Sequence, residues 1–194
     1  ERRGKEVKAY TPTRIFLTKG MGRHREKLTS FELALRDAGI AHLNLVQVSS
    51  IFPPHCKLVP RSKGIKLLEP GQVTFCVLSR NSSDEPNRWI GAAVGVAIPK
   101  DDEKYGYISE HHDFGKKKQI LGDYTEDLAA SMLASTLGLE IDLDKAWDER
   151  KQEYKIGGQI VKSTNVAQTA RGEDGMWTTV IAVAVFCAYG TKTE

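Results

Sequence analysis

The chain lacks the features that mark secreted disulfide-rich and membrane-spanning proteins. It has three cysteines among 194 residues, and Cys56, Cys76 and Cys187 form no C-x-x-C pair. An odd number of widely spaced cysteines argues against a disulfide framework and predicts reduced thiols in an intracellular compartment. The longest apolar run, residues 180–188, is too short to cross a bilayer. We therefore expect a cytoplasmic protein that does not act in the membrane.

The chain also lacks a strong charge of either sign. Its 28 Lys and Arg residues nearly balance 25 Asp and Glu residues, which leaves a formal net charge of +3. Basic residues cluster within residues 2–8 and 116–118, but no aromatic ladder or known nucleic-acid motif accompanies them. Such runs are usually solvated surface, so we expect no nucleic-acid partner.

Metal-ligand spacing is also missing. The His55-Cys56 and His111-His112 pairs are the candidates, and no further Cys or His lies at structural-zinc spacing from them. Adjacent residues of a strand point to opposite faces, so His111 and His112 are poorly placed to share one ion. The sequence therefore predicts no metal.

The residues that are present describe one globular domain over residues 1–194, with 40% hydrophobic and 27% charged residues. Strands and helices mix without strict βαβ alternation, which predicts an α+β fold. Thr29-Ser30-Phe31-Glu32 has the pattern of a helix capping box, and Gly39 suits the end of that helix. The predicted strands are 14–18, 43–48, 73–78, 90–98, 105–111, 159–169 and 178–189. The predicted helices are 30–38 and 124–137. Between these elements, we predict a loop at residues 20–22, a turn at 81–87, and a helix or solvated connection at 142–155.

The most informative segment is residues 43–54, which read LNLVQVSSIFPP. Strong β-formers lead into the pair Ser49-Ser50, and Pro53 and Pro54 stiffen the chain shortly afterwards. Serine pairs often satisfy backbone groups at strand ends. The stiff surroundings also suit backbone serinolysis, in which a serine hydroxyl attacks the preceding carbonyl carbon.

This segment resembles the processing site of pyruvoyl-dependent arginine decarboxylases. Residues 33–40 are similar to that family's helix before the cleavage strand, residues 94–101 match a further signature, and residues 106–110 end where the family carries its catalytic glutamate. The resemblance covers residues 14–138 and, more loosely, the last strand. Residues 1–13 and 142–176 have no counterpart that we can place. The resemblance implies a four-layer αββα sandwich, assembled as a homotrimer of cleaved protomers or a dimer of trimers.

The resemblance also implies the chemistry. Ser50 would attack the carbonyl of Ser49, and cleavage would yield residues 1–49 and 50–194, with a pyruvoyl group at position 50. This group would form a Schiff base with L-arginine and yield agmatine and carbon dioxide, a step of polyamine biosynthesis. Pyridoxal phosphate does the same work in other enzymes, but the chain has no recognisable phosphate-binding glycine loop, since Gly20-x-Gly22 is too short a signal.

Two further residues have expected roles in this chemistry. Asn44 lies six residues before Ser50, and on a regular strand both side chains would share a face, so its amide could stabilise the oxyanion formed during processing. The alternative for Asn44 is a buried amide that satisfies a neighbouring backbone. Glu110 is expected to end an apolar strand, partly buried, where a raised pKa would let it donate a proton. The alternative is a solvated glutamate at a sheet edge.

The resemblance places Glu32 where the family binds the substrate guanidinium, although the usual residue there is aspartate. Glu32 could instead complete the capping box. Leu35, Leu43 and Ile51 fall where the family packs the aliphatic stem of the substrate, and each is equally ordinary as a core residue. Because Glu32 differs from the usual residue, a pyruvoyl decarboxylase of another amino acid stays open as an alternative. Because Ser50 stands as serine in one unbroken sequence, an unprocessed structural or regulatory member of the family is a second alternative.

Overall fold

The computed structural model describes residues 10–138, 153–156 and 159–190. Ten strands, two α-helices longer than one turn and one short helical segment make up this part of the chain. The strands are β1 (Thr11–His24), β2 (Asn44–Gln47), β3 (Ile51–Phe52), β4 (Lys57–Leu58), β5 (Val73–Ser83), β6 (Trp89–Ile98), β7 (Gly106–Phe114), β8 (Glu153–Ile156), β9 (Gln159–Arg171) and β10 (Trp177–Gly190). The helices are α1 (Lys27–Asp37), α2 (Arg61–Gly64), which runs into a 3₁₀ turn at Ile65–Leu67, and α3 (Lys118–Thr136).

The strands form two five-stranded sheets that face each other. The first sheet has the order β2-β5-β10-β1-β4 and the second the order β3-β7-β6-β9-β8. Helix α1 packs on β1 and β10 of the first sheet, while α3 packs on β6, β7 and β9 of the second. Strands β10 and β5 of the first sheet contact β6 across the interior. The order of layers is therefore helix, sheet, sheet, helix, which confirms the predicted αββα sandwich.

Side-chain alternation along the strands builds the core, because successive residues of a strand point to opposite faces. Even-numbered residues of β6, such as Val94 and Val96, pack between the two sheets with Val180 and Ala182 of β10. Odd-numbered residues of β6 face α3, where Ala97 packs with Leu133 and its neighbours. The first sheet is built in the same way, with a separate cluster under α1.

The segment predicted as a loop at Gly20-Met21-Gly22 lies inside β1, so that prediction is wrong. Strand β1 pairs with β10 without interruption from Ile15 to His24. The two glycines are needed because α1 crosses the strand here: a Cβ at Gly20 would lie 2.1 Å from the Ala34 carbonyl oxygen. A pair of glycines therefore marks close packing of a helix and a strand here.

Helix α1 begins three residues earlier than predicted, and the capping-box interpretation is wrong. Its N-cap is Glu26, so Ser30 lies within the helix, where its hydroxyl contacts the Lys27 carbonyl and Thr179 Oγ1. The predicted end of the helix is confirmed. Gly39 has φ +76°, and the N–H of the next residue, Ile40, donates to the Leu35 carbonyl at 2.9 Å.

Several other predicted boundaries were too short. Strand β5 extends to Ser83, β7 extends to Phe114, and α3 begins at Lys118, one turn and a half before the predicted start. Of the segment predicted as a helix or connection, residues 142–152 lie outside the described residues, and Glu153–Ile156 forms strand β8. Periodicity locates the centre of an element better than its ends, because the ends are set by pairing with distant strands.

Candidate active site

The serine pair lies where the chain passes from one sheet to the other. Strand β2 belongs to the first sheet and β3 to the second, and residues 48–50 connect them. On the first sheet, the Val48 N–H donates to the Cys76 carbonyl at 2.9 Å. On the second sheet, the Ile108 N–H donates to the Ser50 carbonyl at 2.7 Å. The peptide bond between Ser49 and Ser50 is thus held from both sides, by strands that the rest of the fold keeps in place.

A cavity of about 300 Å³ opens beside this connection. Its wall is mostly apolar and aromatic, and it is formed by Tyr10, Pro12, Val48, Ser49, Ile51, Pro53, Phe75, Phe186 and Tyr189. The aromatic rings support one another, since Tyr189 lies edge-on to both Tyr10 and Phe75, with ring centroids 6.0 and 6.1 Å apart. Burial raises the pKa of the Tyr189 phenol. Such a wall suits the aliphatic part of a ligand placed next to the serine pair.

Glu110 lies on β7, two residues after Ile108, whose backbone N–H binds the Ser50 carbonyl. Ile108, which binds the Ser50 carbonyl, is two residues before Glu110 on the same face of the strand. The Glu110 side chain is exposed in the single chain and lies in the middle of β7, so the expectation of a partly buried strand end is corrected. Desolvation by neighbouring atoms nevertheless raises the pKa of Glu110, and the charge of His112 opposes this effect. A glutamate of this kind holds a proton at a higher pH than a fully solvated one.

Two buried side chains of β5 form hydrogen bonds with the backbone of β7 beside Glu110. Ser79 Oγ donates to the His111 carbonyl at 2.6 Å, and Asn81 Nδ2 donates to the Asp113 carbonyl at 3.0 Å. These bonds join the two sheets directly and fix the backbone that carries Glu110. Neither contact has a local sequence signal, because 32 residues separate each donor from its acceptor.

The structure places Asn44 at the start of β2, where it is exposed and its Nδ2 donates to the Gly71 carbonyl at 2.7 Å. Strand β2 ends at Gln47, so no regular strand connects Asn44 with Ser50. The prediction that the two side chains share a strand face is therefore wrong, since it required extended geometry through residue 50. In this structure the amide secures the loop before β5.

The predicted substrate-binding residues fall into two groups. Ile51 is exposed and lines the cavity with Ser49, whereas Leu35 and Leu43 pack in the cluster between α1 and the first sheet. Glu32 lies on the second turn of α1, where its Oε1 accepts from Arg36 Nε at 2.5 Å. The alternative role for Glu32 is thus an ion pair within the helix in place of a cap. Within one chain, only Ile51 of these four residues lines the cavity.

One cluster of potential metal ligands occurs among the described residues, and the sequence had not indicated it. His55 Nε2 lies 3.3 Å from Glu103 and His55 Nδ1 lies 3.7 Å from Asp102. All three residues are exposed, and their ligand atoms lie within 4.8 Å of one another. The group joins the segment after β3 to the loop before β7, where the His55 N–H also donates to the Asp102 carbonyl at 3.0 Å. No local pattern predicts it, because these parts of the chain meet only in the fold.

Comparison with known proteins places these features in one family. The family model described as pyruvoyl-dependent arginine decarboxylase matches residues 14–191. A probable pyruvoyl-dependent arginine decarboxylase from Chlorobium phaeovibrioides is 59% identical over 177 residues, which cover 91% of this chain and 98% of the relative. Pyruvoyl-dependent arginine decarboxylase 2 from Methanosarcina mazei is 56% identical over 176 residues, which cover 90% of this chain and 96% of the relative.

The family match identifies this αββα sandwich, with a serine pair between its sheets, as a pyruvoyl-dependent decarboxylase. The chain belongs to the pyruvoyl-dependent arginine decarboxylase family. The match includes residues 142–176, for which the sequence alone had suggested no counterpart, and it leaves residues 1–13 outside. In the described part of the chain, every helix is too short or too polar to span a membrane.

Proposed function

We propose that the chain cleaves itself between Ser49 and Ser50 and then converts L-arginine to agmatine and carbon dioxide. The observation that carries this proposal is the position of that peptide bond. It connects two sheets, is held by backbone hydrogen bonds on both sides, and borders the one cavity described above. A bond held in this way has few conformations to lose before the hydroxyl reaches the carbonyl carbon.

The cleavage needs no outside reagent other than water. Ser50 Oγ attacks the Ser49 carbonyl carbon, and the peptide bond is replaced by an ester. Elimination across the Cα–Cβ bond of residue 50 frees the Ser49 carboxylate and leaves dehydroalanine. Hydrolysis then releases ammonia and leaves a pyruvoyl group at the start of residues 50–194, separate from residues 1–49. We assign Asn44 to processing on the family resemblance alone, and its side chain would have to leave the Gly71 carbonyl to take part.

The surroundings of Ser50 fit a pyruvoyl group. Its ketone would form a Schiff base with the substrate α-amine and accept the electrons released with carbon dioxide. The Ile108 N–H, which binds the Ser50 carbonyl, holds the amide next to that ketone. Glu110 follows on the same strand face and supplies the proton that replaces the lost carboxylate, which its raised pKa favours. The pyruvoyl group derived from Ser50 is the cofactor, without pyridoxal phosphate or a metal.

The substrate contacts follow the family resemblance and the cavity wall. Ile51 packs against the aliphatic stem of arginine. Leu35 and Leu43 are assigned to the same stem on the family resemblance alone. Glu32 binds the guanidinium, for which it must give up its bond to Arg36. Exposed apolar side chains near the serine pair, Val46, Val48 and Ile51, support a contact between subunits. We assign the assembly, a trimer or a dimer of trimers, on the family resemblance and the cytoplasmic location on the cysteine content.

Mass spectrometry of the denatured protein tests the cleavage directly. After incubation at neutral pH, we expect two fragments, residues 1–49 and residues 50–194, the second without a free amine at its start. Ser50→Ala should stay intact because it has no attacking hydroxyl. Ser49→Ala is the matched control and should still be cut, because only the backbone carbonyl of residue 49 reacts. An intact wild-type chain would instead identify an unprocessed member of the family.

Release of carbon dioxide from arginine, lysine and ornithine by the cut protein then tests the substrate. Arginine should be preferred, since a carboxylate can bind a guanidinium through two parallel hydrogen bonds. A preference for lysine or ornithine would show that the protein is a pyruvoyl decarboxylase of another amino acid.

A further inference from the structure

Two adjacent histidines on β7 have different surroundings. His111 pairs across the ladder with Ala93, which packs with Leu121 of α3, whereas His112 pairs with Ala92, which packs between the sheets. The two side chains therefore leave the strand on opposite faces, with ring centroids 6.4 Å apart. They form a natural pair of test and control positions.

The contacts of His111 account for its presence without any role in catalysis. Its Nε2 lies 3.6 Å from Asp113 Oδ2, and its ring lies edge-on to Tyr124 at a centroid distance of 4.9 Å. Lys116 Nζ lies 2.8 Å from the same Asp113 oxygen. This group of four side chains joins the end of β7 to the start of α3.

His112 has a different neighbour. Among the described residues it makes no hydrogen bond or ion pair, and Glu110 is the adjacent side chain on its face of β7. Two residues along a strand span roughly 7 Å, so a charge on the imidazole acts on the Glu110 carboxylate at short range. Across the ladder, Val94 and Ala92 present only apolar groups to this pair.

Other charged groups around Glu110 do not duplicate this effect. On β5, burial raises the pKa of the Cys76 thiol to about 12, so it is neutral at any working pH. Arg80 of β5 lies over the Phe31 ring on the opposite side of the first sheet. Asp113 and Lys116 belong to the His111 group on the α3 side of β7. Among the residues that the structure describes, His112 is therefore the ionisable side chain next to Glu110 on the same face of β7.

We propose that His112 is a positioning residue for Glu110, whose imidazolium stabilises the carboxylate left when Glu110 gives its proton to the substrate carbon. This inference rests on the proposed role of Glu110 as proton donor. Desolvation raises the pKa of Glu110, and the positive charge of His112 lowers it. The proposal requires this direction, because a stabilised carboxylate has a lower pKa.

The test compares His112→Gln with His111→Gln in the mature protein. The first readout is the titration of the Glu110 carboxyl by NMR of protein labelled with carboxyl-¹³C glutamate, with Glu110→Gln used to assign the signal. His112→Gln should raise the Glu110 midpoint by about 0.4 to 1.7 pH units, the range for a unit charge at roughly 7 Å between effective dielectric constants of about 80 and 20. His111→Gln should leave it unchanged. An unchanged midpoint in His112→Gln would overturn the proposal.

The second readout is the pH dependence of kcat for arginine. Because Glu110 must be protonated to act, kcat falls as the pH rises through its pKa, and His112→Gln should move this fall to higher pH by the same amount. His112→Asn, a second neutral variant, should behave alike and guards against an effect of glutamine itself. If Glu110→Gln kept full activity, the proton-donor role would fail, while the NMR titration would still decide whether His112 acts on Glu110.

Discussion

The centre and the edge of the sandwich are built differently. In β6, eight consecutive residues from Ile90 to Ala97 are buried, and Val180 to Phe186 of β10 are likewise buried. At the edge, the exposed fractions of Val46 of β2 and Ile51 of β3 are 40% and 42%. The centre can therefore specify the fold while the edge leaves a backbone bond accessible. We expect substitutions at the edge to alter chemistry and substitutions in the centre to alter stability.

The largest expected effect tests the edge. Glu110→Gln should still be cleaved, because the proposed cleavage does not use this carboxyl, but kcat for arginine should fall by about 10²–10⁴-fold with the loss of a general acid. Cleavage is checked by mass spectrometry and turnover by release of carbon dioxide. The melting temperature should change little, since the side chain is exposed. Near-normal turnover by the cut variant would assign the proton to water or to another residue.

The next effect tests the centre. Ile181→Ala should lower the free energy of unfolding by about 2–5 kcal/mol, because the side chain is fully buried between α1 and the first sheet. Val46→Ala at the edge should cost less than about 1 kcal/mol. Both are measured by urea denaturation in the uncut Ser50→Ala background, where unfolding involves a single chain. Equal costs at the two positions would remove the distinction between centre and edge.

A smaller effect asks whether the binding site extends to α1. Glu32→Gln should raise KM for arginine by about 10–100-fold if Glu32 binds the guanidinium, the equivalent of about 1.5–3 kcal/mol for a charged hydrogen bond. Arg36→Gln is the matched control, because it removes the partner of Glu32 and leaves the carboxylate in place. If Glu32 only pairs with Arg36, both variants should leave KM alone and lower stability by about 0.3–0.5 kcal/mol.

The sequence predicted the centre well because strands buried on both faces appear as continuous apolar runs. Strands β6 and β10 are such runs, and the end of α1 at Gly39 follows the rules of helix capping. The errors have physical causes. The pair Gly20 and Gly22 predicts a loop, but in the structure the absence of their Cβ atoms allows α1 to pack closely against the strand. The sequence around Ser30 has the pattern of a helix cap, but the Ser30 hydroxyl forms a buried hydrogen bond with Thr179, 149 residues away.

At the site, sequence motifs identify candidate residues but not the contacts that surround them. The serine pair and Glu110 were found through motifs, while the contacts that bring them together join distant strands. Ile108 and Ser50, which share a backbone hydrogen bond, are 58 residues apart in the sequence (108 − 50 = 58), and Ser79 and His111 are 32 residues apart. The crossing of residues 48–50 from one sheet to the other is a property of topology, which no local pattern records.

The pairing of β1 with β10 has a consequence for the protein after maturation. Strands β1 and β2 and helix α1 all precede Ser50, whereas every strand of the second sheet follows it. A cut protein would hold its shorter piece through the hydrogen bonds of one sheet and the packing of one helix. Refolding would then change from a first-order to a second-order process, and the melting temperature would fall on dilution. After maturation, a dissociated enzyme would regain its fold only when its two pieces bind each other again.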